Sequence, residues 1–88
     1  MPLFANKFSE EFSALLEKTD VSCYKISQYT CLDQAYLSRL KSGEKQNPSP
    51  ETVMKISLAL AYYSNKAKLR DIQKLFKAIG LSILTSED

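Results

Sequence analysis

Between Ser22 and Pro50 the chain carries helix-start and helix-stop signals so closely spaced that only short helices fit between them. Asp33 is a strong N-cap residue, because its carboxylate accepts from the free N–H groups of a first turn and offsets the positive end of the helix dipole. The helix that starts there has its stop at Ser42-Gly43, where glycine takes the left-handed conformation that closes a helix. Within the run 33–41, a rotation of about 100° per residue puts Leu37 and Leu40 on one side. Ala35, Ser38 and Arg39 lie on the other side, flanked by Gln34.

Upstream, Ser22 caps a second short helix, Cys23 to about Thr30, whose inward residues are Ile26 and the small Ser27. Only Thr30-Cys31-Leu32 separates it from Asp33. Two helices joined this tightly cross steeply, which calls for a small residue at the crossing and an apolar plug in the turn; Ser27 and Leu32 meet those needs. The pattern is a helix-turn-helix unit over residues 22–42.

On these residues the chain resembles the Cro/C1-type (XRE-like) helix-turn-helix regulators, which have a lambda-repressor-like DNA-binding domain. Ile26, Ser27, Leu32, Leu37, Ser38 and Leu40 carry the match, with Ser42-Gly43 and the start Pro48-Ser49-Pro50-Glu51-Thr52 of a following helix. That helix has Val53, Ile56 and Leu60 on its apolar face, and with a first helix included the resemblance spans roughly residues 8–62. It implies an all-α, compact five-helix domain acting as a bacterial or phage-type transcriptional regulator, a repressor or an activator. Three departures stand out. Cys31 occupies the turn position where the family usually has glycine, which costs on the order of 1 kcal/mol if that site is left-handed. Cys23 stands where relatives often place a phosphate-touching glutamine. Leu16 and Lys41 occupy the places of an Arg–Glu pair that ties helix one to the recognition helix, so that pair cannot form.

Elsewhere in the chain the expectations come from the residues themselves. Phe8, Phe12, Leu15 and Leu16 recur at helical spacing, with Glu10, Glu11 and Glu17 outward, and predict a first helix from about Asn6 to Lys18. Ser49 as cap and Pro50 at the first helical position predict a helix to about Tyr62. After the break Tyr62-Tyr63-Ser64-Asn65, Asn65 is expected to cap a fifth helix from Lys66 to Ile79, with Leu69, Ile72, Leu75, Phe76 and Ile79 inward and Gly80 ending it. Tyr63, Ile79 and the apolar tail residues Leu81, Ile83 and Leu84 are expected to form a seam between two copies; the alternative is a tail folded back on helix one.

Eighty-eight residues make one small domain, too short for a core plus a deep catalytic cleft. No histidine is present for acid–base work, nor any glycine-rich phosphate loop, so no enzyme and no cofactor are expected. Cys23 and Cys31, without histidine or a second cysteine pair, exclude a four-ligand zinc site; no metal is expected. They read as reduced thiols filling small spaces, the alternative being a redox-sensing pair. No apolar run approaches the ~20 residues that span a bilayer, and Met1-Pro2-Leu3-Phe4 is not a signal sequence, so the expected location is cytoplasmic, with no membrane partner.

Charge is unevenly distributed. Residues 1–38 hold three lysines against five carboxylates, while residues 39–86 hold nine lysines and arginines against three carboxylates. A basic second half that begins at the recognition helix suits a polyanion; the alternative, preferred for Lys66 to Lys77, is that helices four and five carry solvated lysine faces. Together with the helix-turn-helix resemblance, this makes double-stranded DNA the expected partner, with an inverted-repeat operator if the chain is a homodimer. Gln34 can pair with adenine N6 and N7, and Ala35 can meet a thymine methyl group. Ser38 has a short reach on the same face, and Arg39 either forks onto guanine O6 and N7 or reaches a phosphate. The backbone side is assigned to Ser22, Cys23, Tyr36, Lys41, Ser42, Lys45, Gln46 and Asn47, with Tyr36 either on a phosphate or packed beneath its helix. A protein-interaction module is the competing reading: an antitoxin-like partner binder using helix five and residues 81–84.

Overall fold

The computed structural model describes residues 6–80, in which the chain forms five helices and no strand. Helix α1 spans Lys7–Thr19. Asn6 caps it, accepting from the Ser9 backbone N–H while its own N–H donates to the Ser9 hydroxyl. Helix α2 is Cys23–Thr30, with Ser22 accepting from Lys25 N–H as its cap. Helix α3 is Gln34–Ser42, with Asp33 accepting from Ala35 N–H and Gly43 closing it at φ 91°. Helix α4 is Pro50–Tyr63, begun by Ser49 accepting from Thr52 N–H. Helix α5 is Leu69–Ala78, with Gly80 beyond its end at φ 87°.

The packing follows from the apolar spacing. Helix α1 lies against α3 and α5, α2 lies against α3 and α4, and α4 closes the core against α5. Phe12, Ile26, Leu37, Leu40, Val53, Ile56, Leu60 and Leu75 meet at the centre with no exposed surface. Each such side chain contributes roughly 1.5–3 kcal/mol of burial, and together they hold the short α2 and α3, which are too short to be stable alone. Leu32 packs against this core as the turn plug, and Ser27 is half-buried beside it.

Two expectations need correction. Helix α5 begins at Leu69 instead of Lys66, and Asn65 does not cap it. Ser64 accepts from Lys66 N–H and holds the chain in a turn there, whereas the Asp71 carboxylate accepts from Lys68 N–H at 3.0 Å. Asp71 can reach back to the capping N–H only if it sits in the first turn, and that fixes the start. In consequence Leu69 is not inward: it is 55 % exposed, while Leu75 and Phe76 enter the core and Ile72 and Ile79 pack at its edge. The second correction concerns Cys31, which fills no small space. Both cysteines are free thiols, and Cys31 is exposed at the surface of the turn. Of the expected seam, Tyr63 and Ile79 are half-buried against the core, and residues 81–84 lie outside the described residues.

Candidate nucleic-acid interface

The turn between α2 and α3 decides how α3 is presented. Cys31 adopts φ 64° and ψ 16°, the left-handed conformation, and its N–H donates to Ser27 C=O at 2.9 Å. Thr30 steadies the same turn, its hydroxyl donating to Ile26 C=O and accepting from Leu32 N–H. The chain thus keeps the backbone shape of a glycine-containing turn and carries the strain of a β-carbon there.

Leu37 and Leu40 are fully buried, so the opposite side of α3 must face out. Gln34, Ala35, Ser38 and Arg39 are all exposed on it. The side chains expected to read bases therefore share one solvent-facing surface. Arg39 makes no ion pair among the described residues, which leaves its guanidinium available to an incoming acceptor. Tyr36 is half-buried and packs against the core, so the packing half of its two expected roles is realised.

A groove runs between α1 and α3. Gln34, Ser38 and Lys41 line one wall, Glu10 and Glu17 line the other, and Ser22 and Cys23 lie at its α2 end. The α1 wall is acidic and would repel a phosphate, whereas the α2 end combines a helix N-terminus with the nearby Lys41 charge. Burial pushes the Cys23 thiol above its usual range, and the Lys41 ammonium beside it works against that shift. Cys23 is therefore a neutral, half-buried side chain at the position where relatives present a glutamine amide.

In place of the missing Arg–Glu pair, the Ser13 hydroxyl donates to Lys41 C=O at 3.0 Å and joins α1 to the end of α3. Sequence reasoning passed over Ser13, because a lone serine among helix-one residues carries no signal of a partner 28 positions away. The loop after α3 is partly shaped from within. Lys45 N–H donates to Arg39 C=O, and the Ser42 hydroxyl donates to Arg39 C=O while accepting from Glu44 N–H. Lys45, Gln46 and Asn47 are exposed, with Asn47 left-handed at φ 55°. Asparagine tolerates that conformation better than most residues.

Among the described residues no group of histidine, cysteine or carboxylate side chains is placed to hold a metal, and no helix is long and apolar enough to cross a membrane. No curated protein and no solved structure matches the chain. A helix-turn-helix family model matches residues 13–65, which spans the second half of α1, the whole α2–α3 unit and α4. The chain therefore belongs to the Cro/C1-type helix-turn-helix family of DNA-binding regulators.

Proposed function

We propose that the protein is a sequence-specific regulator of transcription, of bacterial or phage type, that places α3 in the major groove of duplex DNA. One observation carries the reading: Gln34, Ala35, Ser38 and Arg39 are exposed together on the side of α3 opposite two fully buried leucines. An exposed helix of this width fits a groove about 12 Å across. Gln34 reads adenine through its amide, Ala35 meets a thymine methyl, Ser38 adds a short-range hydrogen bond, and Arg39 forks onto guanine. Lys41 and Lys45 neutralise phosphates, Gln46 and Asn47 lie along the same strand, and Tyr36 touches it at the edge of the helix. Ser22 and Cys23 bring the α2 N-terminus to a phosphate, where the Ser22 hydroxyl hydrogen is still available to donate. Ser42 contributes by closing the helix, because its hydrogen is already directed to Arg39 C=O.

Regulation follows from occupancy, either by covering a promoter or by recruiting polymerase, in the cytoplasm and without catalysis. Two copies on an inverted repeat would place their recognition helices about 34 Å apart.

Selection of genomic fragments with the purified protein, read by sequencing, tests the reading and yields the operator. On that site, Gln34→Ala or Arg39→Ala is expected to cost about 1–3 kcal/mol of affinity and to leave binding to random duplex nearly unchanged. Equal losses on both duplexes would move these residues to the backbone. Failure to enrich any sequence would remove the reading.

A further inference from the structure

Helix α4 has a second apolar side that the core does not use. Met54, Leu58 and Tyr62 follow one another at one-turn spacing and are 44 %, 51 % and 69 % exposed. Ala61 is exposed beside them, and Tyr29 of α2, 43 % exposed, extends the surface, its ring centroid 4.9 Å from that of Tyr62. Solitary exposed apolar residues are ordinary, but a continuous stripe that includes a pair of tyrosine rings packed on each other is not.

We infer that this stripe is the surface through which two copies of the chain associate. Three observations favour a second copy as the occupant. The first is symmetry: the stripe is centred on Leu58, so an antiparallel α4 pair sets Leu58 against Leu58 and Met54 of one copy against Tyr62 of the other, as a two-fold contact requires. Charge points the same way. Glu51 and Lys55 are the charged residues of α4, and they pair with each other at 3.8 Å, while the nearby Lys25 ammonium is held over the Tyr63 ring at 5.5 Å, so α4 itself brings no uncompensated charge to a second copy. The third is area. The four large side chains expose on the order of 400 Å² per copy, or about 800 Å² for two, and their polar neighbours bring this toward the ~1,200 Å² at which specific interfaces begin. A weak dimer results, half-formed at micromolar concentrations.

The site on α3 stays open in this arrangement. Helix α3 packs on α1 and α2, whereas α4 packs on α2 and α5, so Met54, Leu58 and Tyr62 lie on a helix that is not packed against the base-reading one. The domain measures 36 × 29 × 22 Å, so two copies side by side have centres about one domain width apart, within range of one turn of B-DNA. The inference rests on the two-copy part of the functional reading but not on DNA binding itself.

Sedimentation velocity of the full chain without DNA, over about 5–500 µM, tests it. The expected result is a shift from a 10.0 kDa species toward twice that mass, with the dissociation constant raised tenfold or more by Leu58→Lys or Met54→Lys and unaffected by Ile83→Lys. Both target residues are exposed, so helical content and melting temperature should match the parent. A second measurement needs no variant: on dilution, amide NMR shifts should move along α4 and at Tyr29. A 10 kDa species at every concentration would overturn the inference, and so would a dimer indifferent to Leu58→Lys but lost in Ile83→Lys, or dilution shifts confined to α5. Because no operator is present, these outcomes are separate from loss of sequence-specific binding, which would sink the functional reading and leave the dimer standing.

Discussion

Among the described residues, three outside glycine hold positive φ angles, Asp20 at 57°, Cys31 at 64° and Asn47 at 55°. Asp and Asn visit this region with local hydrogen-bonding help, and cysteine does not, so the strain is concentrated at the turn that orients α3. Cys31→Gly is expected to stabilise the fold by roughly 0.5–1 kcal/mol, the relief of the β-carbon clash reduced by the greater freedom of glycine in the unfolded chain. Urea unfolding would read it as a higher midpoint at unchanged slope. A lower midpoint would mean that the Cys31 side chain contributes something to the fold that outweighs its strain. The departure from a glycine turn was visible in the sequence. Whether the turn had kept its left-handed shape was not, because the answer depends on Thr30 and Ser27, whose hydrogen bonds exist only once α2 has formed.

At the level of helices, the starts governed by neighbouring residues were legible: Asp33 and Ser49 serve as caps where their side-chain chemistry places them, and Ser22 does the same. The start of α5 was not, because Asp71 has two partners. It accepts from Lys68 N–H and also pairs with Lys18 of α1 at 2.6 Å, 53 positions away. Burial alone would push the Asp71 carboxyl up; the Lys18 hydrogen bond, the Lys68 N–H and the charges of Lys18 and Lys74 outweigh it and hold the group below its ordinary value. A carboxyl lowered in the folded state stabilises the fold above its unfolded pKa of about 4, and that contribution is lost as pH falls through the folded value. Urea midpoints should therefore fall more steeply with acid below about pH 4 in the parent than in Asp71→Asn, and parallel profiles would contradict the assignment. At neutral pH Asp71→Ala should cost about 1–2 kcal/mol, the sum of a cap and a partly exposed ion pair. The Ser13 link between α1 and α3 was equally hidden from sequence, and Ser13→Ala should cost about 1 kcal/mol, since Lys41 C=O then relies on water alone.

Across the whole molecule, the acidic α1 wall and the cations Arg39, Lys41 and Lys45 at and just after the end of α3 favour one orientation of any polyanion, approaching from the α2 N-terminus and the Lys45 side. Composition revealed the imbalance, but only the packing of α1 on α3 shows that Glu10 and Glu17 face the groove beside Gln34. Phosphate contacts release counterions, so log affinity should fall linearly with log salt, and Lys41→Ala or Lys45→Ala should flatten the slope by up to about one unit each while weakening all duplexes alike. The proposed two-fold arrangement would add a geometric demand that a lone domain does not. With half-sites one helical turn apart, both copies lie on the same side of the duplex. Five extra base pairs between the half-sites turn one of them about half a revolution away, and ten restore its facing at twice the distance. Gel retardation on such a spacing series should therefore show cooperative binding at the native spacing and independent half-site binding at five added pairs. The loss should equal what Leu58→Lys produces on the unaltered operator, because both changes disconnect the same two copies. Absence of cooperativity at every spacing, the native one included, would mean that each domain reads its half-site alone, and the two-copy reading would fall while the single-site contacts of Gln34 and Arg39 remained.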